Sequence, residues 1–201
     1  MTTYILGLGN PGAEYEQTRH NAGRLALALL AQKPPENASF EEWKLDKKMS
    51  ALVSKGKIGS TNVVLALPET YMNKSGVSVK PLALDAKKAA AGLIVVHDDM
   101  DLPLGTIKVS FDRGAGGHKG IESIIATIKT KAFTRVRIGV CPTTPGGKLK
   151  KPQAGDQVVD FIIGKFKPSE AEVLKKVLQQ AAAMTADLVT KGRVWVMNNY
   201  N

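Results

Sequence analysis

Short β-rich runs alternate along the chain with segments of helical periodicity, and this alternation restricts the possible folds more than any other feature. Helical spacing follows Arg19, where leucines sit among alanines, and recurs where isoleucines lie three and four residues apart from Ile121 to Ile128. The pattern predicts a three-layer α/β domain. The predicted strands are residues 4–8, 63–67, 93–96, 107–111 and 136–140.

Boundary signals complete this prediction. A longer helix is expected to begin at Ser169, because Ser169 and Glu172 have the spacing of a capping box, and to end near Gly192. Residues 33–48 and 142–155 are rich in loop-forming residues and are expected to be surface loops, the second of them mobile. No repeat or composition shift divides the chain, so residues 1–201 are predicted to form a single domain.

The charge balance favours a polyanionic partner. Lys and Arg number 28 against 18 Asp and Glu, which gives a formal net charge of +10. Charge alone does not choose among RNA, DNA and an anionic membrane. The N-terminus has no signal-peptide pattern and no apolar run approaches the roughly 20 residues of a membrane span, so a cytoplasmic protein is expected. With Cys141 alone and three His, neither a disulfide nor a metal site is predicted.

A glycine-rich loop follows the first predicted strand. Its letters GLGNPG, at residues 7–12, match the dinucleotide-binding pattern of three glycines. In that pattern a helix starts within the motif, whereas here Pro11 and a polar stretch delay the helix to about Arg19. The acidic residue that should end a second strand is also missing, since Glu36 lies in a Pro-rich loop. A tight turn at the first and last of these glycines is the simpler interpretation.

Asn10 and His20 are the first candidate functional residues. Asn10 lies where a predicted strand ends and His20 where the next helix begins, so both can face the same end of the sheet, where α/β domains usually place their sites. Position alone favours a surface or capping role for such a histidine. The rest of the sequence is needed to choose between this structural role and a catalytic one.

Four sequence blocks favour a functional role for Asn10 and His20. They are GLGNPGAEYEQTRHNAG at 7–23, PETYMNKSG at 68–76, VVHDDMDLPLG at 95–105 and GAGGHKG at 114–120. In order and spacing they resemble the bacterial-type peptidyl-tRNA hydrolase family, as does the C-terminal MNNYN, so the resemblance covers the whole chain.

The resemblance has consequences for fold and function. It implies a mixed, twisted β-sheet flanked by helices, and an enzyme that cleaves the ester between peptide and tRNA without metal or cofactor. The length and the hydrophobic content of the chain separately favour a monomer. Its partner would be peptidyl-tRNA, with no DNA or membrane involved. The alternative from another class is a non-catalytic RNA-binding module, such as a splicing cofactor of the same fold.

The same resemblance implies catalytic roles for His20, Asp98, Asn10 and Asn73. A neutral imidazole can accept a proton from water as it attacks an ester carbonyl, so His20 would be the general base. Asp98, at the end of a buried strand, would orient the ring and compensate its charge. The amides of Asn10 and Asn73 can hold a water, bind the peptide backbone or stabilise an oxyanion, and either could do each task.

Contacts to the tRNA body are implied less directly. The family's clamp for the 5′-phosphate includes a basic residue that falls on Arg137. Its lysine partner falls near Ser110, so Lys108 or Arg113 is expected to substitute. Any one of these side chains could instead be a solvated surface group.

Three further residues belong to the predicted substrate site. Tyr15 and Tyr71 lie in the first two blocks. Lys119 stands where the family commonly has asparagine, and is expected to meet a phosphate or ribose near the tRNA 3′ end. A glycine turn with a solvated lysine is the alternative for Lys119.

Overall fold

The computed structural model of the protein describes residues 2–152 and 155–201, and its centre is an eight-stranded sheet. The order is β2-β4-β5-β1-β6-β8-β7, with β3 also pairing with β4. The central strands β5, β1, β6 and β8 run parallel, whereas β2, β3, β4 and β7 pair antiparallel at the two sides. The strands are β1 (Thr2–Gly7), β2 (Ala38–Phe40), β3 (Lys44–Asp46), β4 (Ala51–Ile58), β5 (Thr61–Pro68), β6 (Leu93–Pro103), β7 (Ile107–Phe111) and β8 (Thr134–Cys141).

Helices cover both faces of the sheet. They are α1 (Ala22–Gln32), α2 (Ala86–Gly92), α3 (Lys119–Ile128), α4 (Asp156–Ile163), α5 (Ala171–Thr190) and α6 (Arg193–Tyr200). Short 3-10 turns at Ala13–Tyr15, Arg19–Asn21, Met72–Ser78, Lys80–Leu82 and Pro168–Glu170 connect these elements. None of the helices in the described ranges is both long and apolar enough to cross a membrane.

Side chains alternate between the two faces of the sheet, and this alternation produces two hydrophobic cores, one on each face. Ile94 and Val96 of β6 point to the face covered by α1 and α5, while Leu93 and Val95 point to the face covered by α2 and α3. The longer helices that cover these faces bury an apolar stripe against the sheet, for example Ile121 and its neighbours of α3. The predicted three-layer α/β architecture with a mixed sheet is therefore confirmed.

Two details of the sequence prediction are wrong. Residues 33–48 are not only a loop, since β2 and β3 lie within them and pair with β4, which itself was not predicted. Ser169 does not cap the long helix: the Glu170 carboxylate accepts from the Lys167 backbone N–H at 2.7 Å, and the helix begins after a 3-10 turn. Its predicted end near Gly192 is confirmed, because α5 ends at Thr190. Of the predicted loop 142–155, residues 153 and 154 lie outside the described ranges.

Gly7 and Gly23 let α1 approach the sheet closely. A Cβ on Gly23 would lie 2.1 Å from the Val96 carbonyl oxygen, and one on Gly7 would lie 2.7 Å from the Gly23 carbonyl oxygen. The interpretation of Gly7 as a turn residue is therefore wrong, whereas Gly12, with φ of 107°, does occupy a turn. The close contact places the start of α1 against the carboxyl end of β1 and against Val96 of β6, which pairs with Gly7.

Candidate active site

His20 lies in the 3-10 turn Arg19–Asn21, immediately before α1. The turn follows Thr18, whose hydroxyl donates to the Tyr15 carbonyl at 2.9 Å and whose carbonyl accepts from the Asn21 N–H at 3.1 Å. Although His20 is a polar residue at a helix start, it is only 6% exposed. Its ring is therefore held inside the protein, at the edge of the sheet where the parallel strands end.

Arg19, the neighbour of His20, anchors this turn. Its guanidinium donates to both carboxylate oxygens of Glu170, at 2.8 and 3.1 Å, and to the Val140 carbonyl at 3.2 Å. The rings of Phe161 and Phe166 lie 4.9 and 4.8 Å from its central carbon. A buried charge needs such complete pairing, and loss of one partner typically costs about 3–5 kcal/mol. Nothing in the sequence separates Arg19 from a solvated arginine, so this ion pair was not predicted.

The structure brings His20 and Asp98 together as predicted. The His20 Nδ1–H donates to Asp98 Oδ1 at 2.9 Å, and Asp98 is 2% exposed. Burial alone would lower the pKa of His20, but the charge and hydrogen bond of Asp98 outweigh it, so this pKa lies above its ordinary value. Burial would raise the pKa of Asp98, but its two histidine partners hold it far below the usual range. Asp98 is therefore a carboxylate, and the Nε2 of neutral His20 keeps a free lone pair.

His118 is the second histidine on Asp98, and sequence reasoning did not give it this role. Its Nδ1 accepts from the backbone N–H groups of Gly120 and Ile121, at 3.1 and 3.4 Å, and so caps α3. A ring nitrogen that accepts these N–H groups carries no proton, so the proton of neutral His118 is on Nε2. That Nε2–H donates to Asp98 Oδ1 at 3.0 Å. The signal in the sequence was its position directly before a predicted helix.

His97 completes the cluster of histidines, but it contacts the backbone of Asp98 and makes no hydrogen bond to its carboxylate within the described ranges. Its Nδ1–H donates to the backbone carbonyl of Asp98 at 2.6 Å, and its Nε2 is buried with no partner among the described residues. Burial, with the neighbouring His118, lowers the pKa of His97 well below its ordinary value. The His97 and His20 rings lie 4.7 and 5.1 Å from the His118 ring, so the three histidines of the chain surround one carboxylate.

Within the described ranges, His20, Asp98 and His118 are the group whose geometry could hold a metal ion, with ligand atoms within 4.8 Å of one another. The same arrangement is explained by hydrogen bonds, because two ring N–H groups donate to a single oxygen of Asp98 at 2.9 and 3.0 Å. The hydrogen-bonded carboxylate explains the site without requiring an ion.

Asn10 is held by an amide network. Its backbone N–H donates to Asn21 Oδ1 at 2.8 Å, its carbonyl accepts from Asn21 Nδ2 at 3.0 Å, and its own Oδ1 accepts from the Met72 N–H at 2.8 Å. Its Nδ2 has no partner within the described part of the chain and is the group free to donate to a substrate. Asn21 is 1% exposed. Its role in holding Asn10 was not predicted, because an asparagine next to His20 carries no sequence signal of its own.

Asn73 lies beside this network, in the turn Met72–Ser78, and its side chain is exposed. Tyr71 precedes the turn and is 60% exposed, and its ring packs edge-on against that of Tyr15 with centroids 6.5 Å apart. The structure therefore brings Tyr15 and Tyr71 together and places Asn73 next to the residue that Asn10 holds. An exposed amide two residues from an exposed aromatic ring can bind a peptide chain.

A cavity of about 1040 Å³ opens from His20 and Asp98. One wall is apolar and includes Val158, Val159 and Ile162 of α4, and another is basic. The glycine segment before α3 lines it as well. Among the basic residues at its wall or rim are Arg113, Lys119, Arg135, Arg137 and Lys151.

The basic side chains differ in whether they are paired with an acidic residue. Arg137 donates from Nε to Asp99 at 2.7 Å, and Lys119 pairs with Glu122 at 3.0 Å on the surface of α3. Arg135 is 5% exposed, yet its guanidinium has no hydrogen-bond partner among the described residues. Asp99 is thus the ion-pair partner of Arg137.

Ser110 stands directly opposite Arg135 across the β7–β8 ladder, and its buried hydroxyl also lacks a partner within the described ranges. Lys108 stands opposite Arg137 on β7 and is exposed, but it does not line the cavity. Arg113 lines the cavity and is exposed. The group best placed to receive an anion inside the cavity is therefore Arg135, which the sequence analysis did not select.

Comparisons with known proteins bear on this site. A family model described as Peptidyl-tRNA hydrolase matches residues 4–201. A peptidyl-tRNA hydrolase of Dehalococcoides mccartyi is 39% identical over 197 residues, 98% of each chain, and one of Mycobacterium tuberculosis is 40% identical over 188 residues, 94% of this chain and 91% of that one. The crystal structure of the Acinetobacter baumannii peptidyl-tRNA hydrolase superposes with a TM-score of 0.83 at 33% identity, covering all of this chain and 94% of the other.

Proposed function

Since the chain belongs to the peptidyl-tRNA hydrolase family, we propose that it hydrolyses the ester between peptide and tRNA with His20 as general base. The observation that carries the assignment is the buried pair of His20 and Asp98, 2.9 Å apart, at the wall of a large basic cavity. The reaction recycles tRNA from peptidyl-tRNA. It needs a base, a polarised carbonyl and a receptor for nucleic acid, and each has a candidate in this site.

The first step is proton abstraction from water. Because Nδ1–H of His20 is committed to Asp98, the Nε2 lone pair accepts the proton as the water oxygen bonds to the ester carbonyl carbon. The positive charge that forms on the ring is compensated by the Asp98 carboxylate. Asp98 orients the ring and remains ionised throughout.

The second requirement is stabilisation of the tetrahedral oxyanion. The Asn10 Nδ2 group is a suitable donor, because the Asn10 Oδ1 is held by Met72 and its backbone by Asn21, so the amide cannot turn away. Asn73 and the rings of Tyr15 and Tyr71 would bind the peptide. Asn10 is assigned to the oxyanion because its amide is buried and fixed, and Asn73 is assigned to the peptide because its amide is exposed.

Collapse of the intermediate completes the reaction. The bond from the carbonyl carbon to the ribose oxygen breaks, and the protonated Nε2 of His20 gives its proton to that oxygen. The products are the peptide with a free carboxylate and tRNA with a free 3′-terminal hydroxyl. His20 returns to its neutral form, so no cofactor is consumed.

For the tRNA body, we infer a phosphate receptor built around Arg135 and Arg137. Arg137 is partly neutralised by Asp99, whereas Arg135 faces the cavity with no partner in the described ranges and adjoins the Ser110 hydroxyl. Lys108, Arg113 and Lys119 are exposed and would add longer-range attraction. We further propose that the chain acts as a single-domain cytoplasmic monomer, independent of metal and without a role for DNA.

Purified protein and a defined N-acetyl-dipeptidyl-tRNA test the proposal. Release of peptide, followed by the appearance of tRNA that can be charged again, is the expected result. A protein that bound this tRNA but left its ester intact would instead support a non-catalytic RNA-binding role. An unblocked aminoacyl-tRNA serves as the control substrate and should be cleaved more slowly, because the site would have to desolvate its free ammonium.

A further inference from the structure

Asp98 Oδ1 receives two ring N–H donors, and the second of them comes from a residue that the mechanism above does not use. His118 Nε2 lies 3.0 Å from this oxygen and His20 Nδ1 lies 2.9 Å from it. The oxygen that compensates the charge on His20 is thus shared. Sharing reduces how strongly Asp98 can stabilise the protonated form of His20.

The helix fixes His118 as a donor. Its Nδ1 accepts from the Gly120 and Ile121 N–H groups at the start of α3, so a proton could bind there only if the cap were broken. The ring cannot rotate to present Nδ1 to Asp98 without leaving those N–H groups unpaired. His118 therefore presents Nε2–H to Asp98 whenever α3 is capped.

We propose that His118 is a positioning residue for the reaction, which donates to Asp98 and thereby keeps His20 less basic than it would be beside an unshared aspartate. The inference rests on the proposed role of His20 as base. An unshared carboxylate would hold a larger fraction of His20 protonated at neutral pH, and a protonated imidazole cannot accept the proton of water. His118 thus keeps the base available.

The surrounding titratable groups do not replace this effect. Asp98 is the charged group that acts on His20, while His97 is acted on by His118, Asp98 and Arg135. His97 is neutral, since its Nδ1–H is bound to a backbone carbonyl and its pKa is well below the ordinary value. Of the two histidines that donate to the Asp98 carboxylate, His20 is the one whose ring signals the experiment has to follow.

Two variants separate the hydrogen bond to Asp98 from the helix cap. Asn is a good N-cap but too short to reach Asp98, so His118→Asn keeps the cap and removes the contact. Gln is long enough to reach the carboxylate, so His118→Gln restores a donor. The pKa of His20 is read from its ring signals by NMR, and thermal unfolding checks that each variant is folded.

In His118→Asn, the pKa of His20 should rise by about half to one pH unit, and the acid limb of kcat/KM for peptidyl-tRNA should move up with it. His118→Gln should recover at least half of that shift. In an Asp98→Asn background, the change at His118 should leave the pKa of His20 unmoved, because the shared charge is gone.

An unchanged pKa of His20 in folded His118→Asn would overturn the proposal, and so would an equal shift in the Asp98→Asn background. A shift in the His20 pKa that the acid limb does not follow would leave the proposed sharing intact and refute His20 as the base. The two failures are therefore distinguishable.

Discussion

Replacing Asp98 by asparagine removes one charge from the centre of the site and preserves its shape. The carbonyl of the introduced amide could still accept from His20 and His118, so the Asp98→Asn variant isolates the charge from the hydrogen bonds. A charge pair about 4 Å apart is worth up to about 4 kcal/mol at an effective dielectric of about 20. Neutral hydrogen bonds are worth about 1 kcal/mol less than charge-assisted ones. The transition state should therefore lose about 1.5–4 kcal/mol, which is about 10- to 1000-fold in rate.

The pH dependence of kcat/KM provides a second test of this prediction, because the direction of its change can be predicted. Because the carboxylate raises the pKa of His20 against the effect of burial, its removal leaves burial to lower that pKa. In the wild type the acid limb of kcat/KM should lie above the ordinary imidazole value of 6.5. In Asp98→Asn the limb should move to lower pH while the plateau falls. A single-turnover rate equal to wild type with an unmoved limb would refute the role of Asp98.

The remaining predictions concern nucleic-acid binding and metal dependence. Arg135→Gln should weaken tRNA binding and reduce the slope of log affinity against log salt by about one, whereas a slope equal to wild type would remove Arg135 from the phosphate receptor. Arg137→Ala should lower kcat/KM on full-length peptidyl-tRNA but much less on a short 3′ fragment, and equal losses on both would assign Arg137 to the fold. Activity should survive exhaustive chelation with EDTA, and a loss that added zinc restored would contradict the metal-independent mechanism.

The architecture was accessible from the sequence because it depends on local patterns, and the pairing of His20 with Asp98 was accessible because the family resemblance implied it. The alternation of strand and helix runs predicted the layers, and the four sequence blocks selected His20 and Asp98. The edge strands β2 and β3 were not accessible, since they are short and exposed and are stabilised by pairing with β4.

The supporting contacts were missed for the same physical reason. The contacts of Arg19 with Glu170 and of His118 with Asp98 depend on the tertiary structure, and, unlike the pairing of His20 with Asp98, neither was implied by the family resemblance. Arg135 and Arg137 occupy one short strand and look alike in sequence. The structure distinguishes them, because Arg137 is half-buried and paired with Asp99, whereas Arg135 is buried and has no hydrogen-bond partner within the described ranges.

In the proposed mechanism His20 takes part in the chemical step and does not merely bind substrate. The most direct measurement is single-turnover cleavage of peptidyl-tRNA by folded His20→Ala, alongside its affinity for the same substrate. The affinity should stay close to wild type, because a neutral imidazole contributes little to phosphate binding, while the rate of ester cleavage should fall by at least about a hundredfold. Cleavage at the wild-type rate by the folded, substrate-bound variant would contradict the account.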